Sequence, residues 1–162
     1  MEIQRLTEKH WPEVSAIYAS GLATGNANFS LRVPAWEEWD NAHLKNCRLV
    51  MMDTGKVLGW AALTAVSDRC VFAGVAEVSV YVSEAARGKG IGKQLLSAVA
   101  EESEKNNLWT LEARIFAENV ASIKIHEANG FRIVGRRERI GQMNGVWRDT
   151  ILLERRSTKT GI

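Results

Sequence analysis

Residues 88–92 read Gly-Lys-Gly-Ile-Gly, three glycines in five positions. Ahead of them "AEVSVYV", residues 76–82, alternates as a strand does. Behind them Ile91, Leu95, Leu96, Val99 and Ala100 fall on one face of a helix. A glycine-rich joint between a strand and a long helix narrows the choices. The start of a helix carries unpaired amides and a partial positive charge. Glycines just ahead of it let backbone N–H groups turn toward one point. Arg87, Lys89 and Lys93 add cations to the same place. A tight turn with solvated charges is the plainer alternative. Glycines alternating with basic residues in this context favour a bound anion, a phosphate or pyrophosphate.

Two familiar phosphate loops fit poorly. A Walker loop places Ser or Thr after its lysine, whereas Gln94 follows Lys93. A dinucleotide fingerprint spaces its glycines Gly-x-Gly-x-x-Gly, whereas Gly88, Gly90 and Gly92 are one residue short of that. Glu112 lies near the distance of a ribose-binding acid, but inside a predicted strand and not at its end. Nicotinamide dinucleotide binding is therefore a weak rival.

The chain has 162 residues, enough for one domain with a hydrophobic core. Its net charge is only +2, which argues against a broad nucleic-acid surface. Basic residues cluster locally, at Arg87–Lys93 and Arg132–Arg139. Cys47 and Cys70 form no CxxC pair, so two reduced and mostly buried thiols are expected. His10, His43 and His126 join no ligand pattern, and no metal is expected. The N-terminus "MEIQRLTEKHWPEV" has no apolar segment of signal-peptide length, and "VLGWAALTAV" is too short to span a bilayer. A cytoplasmic protein is expected.

"MEIQRL" reads as a first strand, and "TEKHWPEVSAIYASGL" as a helix with Thr7 a candidate N-cap and Pro12 in the first turn. A loop, "ATGNANFSLRVP", precedes a second helix in "AWEEWDNAHLKN". "CRLVMMD" and "KVLGWAALTAV" are strands joined at Thr54-Gly55, and "SDRCVFAG" is a loop or strand edge. After the glycine joint come strand "LWTLEARIF", helix "NVASIKIHEANG" ending at Gly130, and strands "FRIVGRRERI" and "VWRDTILLERR" around a Met143-Asn144-Gly145 turn. The order β α α β β β α β α β β predicts a mixed α/β fold, not a uniformly wound one. One domain over 1–156 is expected, with 157–162 a flexible tail.

"VSVYVSEAARGKGIGKQLL" followed by "NVASIKIHEANGF" resembles the GCN5-related N-acetyltransferase family. Arg87-x-x-Gly90-x-Gly92 is similar to its acetyl-coenzyme A motif, and Asn119 through Phe131 to its second motif. Within the family, "IYASGLATGNANF", "AEVSVYV", "ENVASIKIHEANGF" and "ERIGQMNGVWRD" are similar to the phosphinothricin and methionine sulfone or sulfoximine acetyltransferases. The resemblance implies a mostly antiparallel twisted sheet of six to seven strands flanked by about four helices. It implies acetylation of the α-amino group of a small amino acid or amino-acid-like toxin, arsinothricin included, by a homodimer.

The resemblance also implies roles for residues. Val80, Tyr81 and Val82 offer backbone groups to the pantetheine arm, with an N–H around Val80 or Tyr81 for the oxyanion. Arg87, Gly88, Lys89, Gly90, Ile91, Gly92 and Lys93 cradle the pyrophosphate. Asn119 reaches the cofactor near its thioester, with Ser122 nearby. Glu77 is the expected general base, since an acid inside an apolar strand asks for a reason. His126 stands where many relatives carry a tyrosine, either as the acid for the thiolate or as a packed helix residue. Arg69, in the loop before the Glu77 strand, is the first candidate for a substrate carboxylate; some relatives carry an arginine nearer that strand, where this chain has Ala73, which implies a different substrate preference. Phe29, Arg32 and Trp36 belong to the segment that covers the acceptor site. Two alternatives stand beside this reading. One is a protein or peptide N-acetyltransferase, compatible with the acidic run Glu37–Asp40. The other is a non-catalytic coenzyme A-binding sensor.

Overall fold

Two short turns set the strand registers. Thr54 (φ 47°) and Gly55 (φ 79°) are both left-handed, as a two-residue type I′ turn requires. They join β2 (Leu49–Asp53) to β3 (Lys56–Ala65), with Asp53 opposite Lys56. Asn144 (φ 50°) and Gly145 (φ 77°) repeat the device. They join β6 (Arg132–Met143) to β7 (Val146–Arg156). Met143 thus ends its strand and lies outside the turn proper.

The computed structural model describes residues 1–162. Its remaining strands are β1 (Glu2–Arg5), β4 (Val75–Val82) and β5 (Thr110–Phe116). All seven form one sheet in the order β1-β2-β3-β4-β5-β7-β6. Only β4 and β5 run parallel; every other pairing is antiparallel. Helices α1 (Trp11–Ala23) and α2 (Trp36–Ala42) lie before β2, α3 (Ile91–Lys105) follows β4, and α4 (Val120–Glu127) follows β5. The expected sheet and helix number are both present.

Alternation along the strands loads both faces of the sheet with apolar side chains. Ala61 and Leu63 of β3 join Ile91, Leu95, Leu96 and Val99 of α3 in one core. Trp60 and Ala62 point the other way, into a second core with Val14 and Ile17 of α1 and Trp39 of α2. Pro12 sits in the first turn of α1, where its missing N–H costs nothing. The helix is preceded by a 3-10 turn, Glu8–His10, so the expected start at Thr7 resolves into two elements.

Other expectations change in detail. "SDRCVFAG" contains a 3-10 turn, Cys70–Phe72. Cys47 is buried as expected and its thiol is pushed up to about 11 by burial, with Glu102 adding to it. Cys70 is exposed, because that turn leaves the sheet before it. Residues 157–162 do not hang free. Ser157 donates its amide to the Trp109 carbonyl at 2.7 Å and its hydroxyl to Glu104 at 3.0 Å, and Arg156 binds the Thr160 carbonyl.

Two irregularities position the site. β4 and β5 pair only from Val75 opposite Thr110 to Glu77 opposite Glu112, then splay apart. In the outer hairpin the register shifts between Arg137 and Gly141, so residues 138–140 bulge from β6. Asp149 holds that bulge. It accepts the Arg139 amide at 2.7 Å and the Arg136 Nε–H at 2.8 Å, and Arg139 is left-handed at φ 49°.

Candidate active site

Where β4 and β5 separate, a cleft of about 810 Å³ opens through the sheet. Its outer end is the glycine joint. Gly88 (φ 78°) and Gly90 (φ 75°) are left-handed, and Gly90 is the N-cap of α3. The first amides of that helix therefore face the cleft without a Cβ in the way. Arg87, Gly88, Gly90, Ile91, Gly92 and Lys93 line it, and Lys89 does not.

The wall of the cleft is the free edge of β4. Ser83 donates its amide to Leu58 at 2.8 Å, and Val66 donates to the Val75 carbonyl at 3.4 Å. Antiparallel alternation then turns the backbone of Val75, Glu77, Ser79 and Tyr81 toward β3. Val78, Val80 and Val82 turn theirs toward β5: the Val78 amide closes the last parallel pair, at Glu112, and beyond it the Val78 carbonyl and the backbone of Val80 and Val82 face a gap, because β5 has moved away. Unpaired strand groups of this kind accept an extended amide-bearing chain as an added strand. Tyr81 departs from the expected backbone role: its amide faces β3, and it offers its side chain to the cleft. The Tyr81 hydroxyl meets Asn28 Nδ2 at 2.8 Å, and burial, with Tyr18 beside it, holds the phenol in its protonated form.

A second chamber, about 390 Å³, lies against the first. Ala27, Asn28, Glu77 and Arg114 border both. Glu77 is the last residue of β4 to pair with β5, so its carboxylate sits at the junction. Arg114 Nε is 3.2 Å from Glu77 Oε2, but its N–H is not aimed at that oxygen, which has no hydrogen-bond partner. Burial raises the Glu77 pKa above the usual carboxylate range; Arg114 partly offsets this and Glu112 adds to it. A half-buried carboxylate with an open lone pair and a raised pKa is suited to take a proton.

The far wall of this chamber is Phe29. Its ring stands edge-on to Phe116 at 4.8 Å. It also occupies the space above Gly141, where a Cβ would lie 2.8 Å from its Cζ. Thr150, Arg137 and Ile140 complete the wall. The loop that carries Asn28 and Phe29 is held from two sides. Asn119 Nδ2 donates to the Asn26 carbonyl at 3.2 Å. Arg148 donates to the Gly25 carbonyl at 2.8 Å and to Asn26 Oδ1 at 2.8 Å, with its guanidinium 3.9 Å from the centre of the Phe116 ring.

Asn119 and Ser122 line the larger cleft, and Asn119 also caps α4 by accepting the Ser122 amide at 3.3 Å. His126 is buried at the cleft wall with its Nδ1 2.7 Å from the Ser122 carbonyl. A carbonyl only accepts, so Nδ1 carries the proton and Nε2 carries the lone pair. Burial lowers the imidazole pKa, which the Ser122 contact partly offsets. Arg69 is not brought to either chamber; its guanidinium lies 5.7 Å from the Phe72 ring. Arg32 pairs with Glu38, and Trp36 packs on Trp11 and Trp39, both away from the chambers. Asn28, Arg114, Phe116, Arg137, Gly141 and Arg148 enter the site without having been singled out. Asn28 comes from the loop after α1; the other five share strand register, which no local motif displays.

A splayed parallel pair, a glycine-led helix start and an acid at the fork together suit a ligand with an anionic head and an extended amide-bearing arm. Residues 7–131 match the model of the Acetyltransferase (GNAT) family, and the chain belongs to that family. It is 39% identical over 100 residues to an L-methionine sulfoximine/L-methionine sulfone acetyltransferase of Pseudomonas paraeruginosa, a match covering 62% of this chain and 58% of that enzyme. A ribosomal-protein-alanine N-acetyltransferase structure from Brucella melitensis superposes with a TM-score of 0.89 at 31% identity, covering 97% of this chain and all (100%) of that one. A GNAT superfamily phosphinothricin acetyltransferase from Sinorhizobium meliloti, in complex with acetyl-CoA, gives 0.88 at 26% identity over 99% of this chain and 90% of that one.

Proposed function

We propose that the chain is an acetyl-CoA-dependent N-acetyltransferase acting on the α-amino group of a small amino acid or amino-acid-like toxin, of the phosphinothricin, methionine sulfone or sulfoximine, or arsinothricin type. The observation that carries this is the position of Glu77, shared by a long cleft and a small chamber. Acetyl-CoA supplies an acetyl thioester. Arg87, Lys93 and the first amides of α3 suit its pyrophosphate, and the free backbone groups of Val80 and Val82, with the Val78 carbonyl, suit its pantetheine amides.

The acceptor amine is mostly protonated at neutral pH and must lose a proton before it attacks. Glu77 takes that proton, directly or through a water. The new N–C bond forms as the C–S bond breaks, and an N–H on the free edge of β4 steadies the carbonyl oxygen. The thiolate is a fair leaving group, its thiol having a pKa of about 8.5. We assign His126 a packing role, since its neutral form offers a lone pair and not a proton at Nε2.

A peptide acceptor is the second reading, favoured by the likeness to the Brucella melitensis structure. The small chamber roofed by Phe29 supports a small acceptor over it. The measurement is acetyl-CoA-dependent thiol release on free amino acids, phosphinothricin, methionine sulfone, methionine sulfoximine, arsinothricin and short peptides. Turnover confined to peptides moves the conclusion to the second reading. Retained cofactor binding with no turnover on any acceptor makes the chain a coenzyme A sensor.

A homodimer fits the outer hairpin, where β6 is a sheet edge and Ile133, Val134, Ile140, Val146 and Trp147 are exposed. No helix is long and apolar enough to cross a membrane, and we infer a cytoplasmic enzyme. Light scattering on the eluting protein measures the assembly directly.

A further inference from the structure

The strand registers carry one side chain into the acceptor chamber whose charge nothing else engages. Glu77 is opposite Glu112 on β5. Glu112, Arg114 and Phe116 alternate onto one face of β5. Phe116 is opposite Thr150 on β7, and Thr150 is opposite Arg137 on β6. Directly opposed residues share a face. Glu77, Arg114, Phe116, Thr150 and Arg137 therefore stand on the same side of four consecutive strands, and all five line the acceptor chamber. Arg137 is the last paired residue before the bulge that Asp149 holds, so its backbone position is set.

Its neighbours spend their charge elsewhere. Arg132 pairs with Glu154, Arg136 with Asp149, Arg148 with Glu118 and Arg155 with Glu104. Arg114 faces two carboxylates, Glu77 at 3.2 Å and Glu112 at 3.7 Å. Arg137 has no carboxylate within ion-pair distance and no hydrogen-bonded partner. The chamber thus presents a carboxylate at one end and an unengaged guanidinium at the other. That pattern complements a zwitterion: an amine delivered to Glu77 and an anion received by a forked donor.

We propose that Arg137 binds the α-carboxylate of the acceptor, in the role the sequence suggested for Arg69. This rests on the proposed function and sharpens it. The acceptor class becomes free α-amino acids and their side-chain analogues, with peptides and simple amines excluded at the carboxylate.

The test compares kcat/KM for methionine sulfone with that for methionine sulfone carboxamide. Both are measured in the wild type, Arg137→Gln and Arg137→Lys, with coenzyme A-dependent thermal shift as the folding control. The wild type is expected to prefer the free acid by about 10- to 100-fold, the scale of a lost charge-assisted hydrogen bond. Arg137→Gln brings the ratio near one by raising KM for the acid far more than for the carboxamide. Arg137→Lys retains part of the preference, having charge without the fork. A preference that survives Arg137→Gln overturns the assignment, as does one lost in Arg69→Gln instead. Equal turnover of acid and carboxamide by the wild type overturns it while leaving acetyl transfer in place. No turnover of either, with peptides acetylated, removes the small-acceptor reading and this inference together.

Discussion

Arg148 on β7 donates to the carbonyl of Gly25 at 2.8 Å, tying the last strand to the loop after the first helix. The same guanidinium reaches Asn26 Oδ1 and lies flat against Phe116, with only 13% of the side chain exposed. Phe116 in turn carries the edge of Phe29. Arg148 thus sets the loop that roofs the acceptor chamber without lining the chamber itself. Arg148→Lys keeps the charge but cannot reach two acceptors while stacking. We expect acceptor KM to rise about tenfold with kcat reduced less, and acetyl-CoA binding to hold, a split on the scale of two weakened hydrogen bonds. Steady-state kinetics with each substrate varied in turn reads it. An equal loss in both KM values would place Arg148 in general folding instead.

Glu77 bears opposite consequences for activity and stability. Its folded pKa is raised, first by burial. A raised carboxylate pKa means that its stability contribution is present below the unfolded pKa and lost as pH rises through the folded value. At neutral pH the ionised group therefore costs stability. Glu77→Gln should raise the melting temperature by one to a few degrees, on the order of half a kcal/mol or more. That gain should fade in acid below the ordinary carboxylate range. The same change should cut kcat by about 10²- to 10³-fold, the usual worth of a general base. Arg114→Gln removes the charge that lowers this pKa, so the acid limb of kcat/KM should move to higher pH. A limb that stays in place would detach Arg114 from the titration.

Gly141 is fixed by its neighbour and not by its backbone, since its φ is not left-handed. An added methyl would meet the Phe29 ring at 2.8–2.9 Å. Phe29 is 39% exposed, so the ring can swing outward at small cost. Gly141→Ala should therefore leave stability within about 0.5 kcal/mol while weakening acceptor use several-fold. Coupling is the sharper readout. Combined with Phe29→Ala, Gly141→Ala should cost almost nothing further, because the clash is gone. Additive losses in the double variant would show that Gly141 acts elsewhere.

The parts of this molecule legible in the sequence are those whose physics is local. Gly88-Lys89-Gly90-Ile91-Gly92 advertises a helix start facing an anion, and Thr54-Gly55 a hairpin, because φ preference is a property of the residue itself. Glu77 stands out because a charge in an apolar strand is conspicuous. The acceptor chamber is different. Phe116, Thr150 and Arg137 meet only through two strand registers, and the Arg137–Gly141 bulge that aims them is held by Asp149 from the partner strand. Arg69 is suited to the role by its proximity along the chain to β4. The 3-10 turn at Cys70–Phe72 carries it off the sheet instead. The anchoring of the tail at Ser157 likewise depends on Glu104 and Trp109, which no tail composition announces.

His126 separates a packing role from a chemical one. It is 2% exposed, its Nδ1–H is committed to the Ser122 carbonyl, and its ring lies edge-on to Phe131 at 5.1 Å. Its pKa is lowered, first by burial. A lowered histidine pKa gives stability that is present above the unfolded value of about 6.5 and lost as pH falls through the folded one. His43 is lowered for the same first reason, so both contribute to acid sensitivity. His126→Asn keeps a donor for Ser122 but loses ring packing. We expect about 1–3 kcal/mol of destabilisation, a shallower loss of stability between neutral and mildly acidic pH, and kcat within about threefold of wild type at low temperature. Denaturant midpoints over a pH series and initial rates well below the melting transition measure the two effects separately. A kcat loss of 10²-fold or more with stability intact would mean that Nε2 serves the leaving thiolate after all.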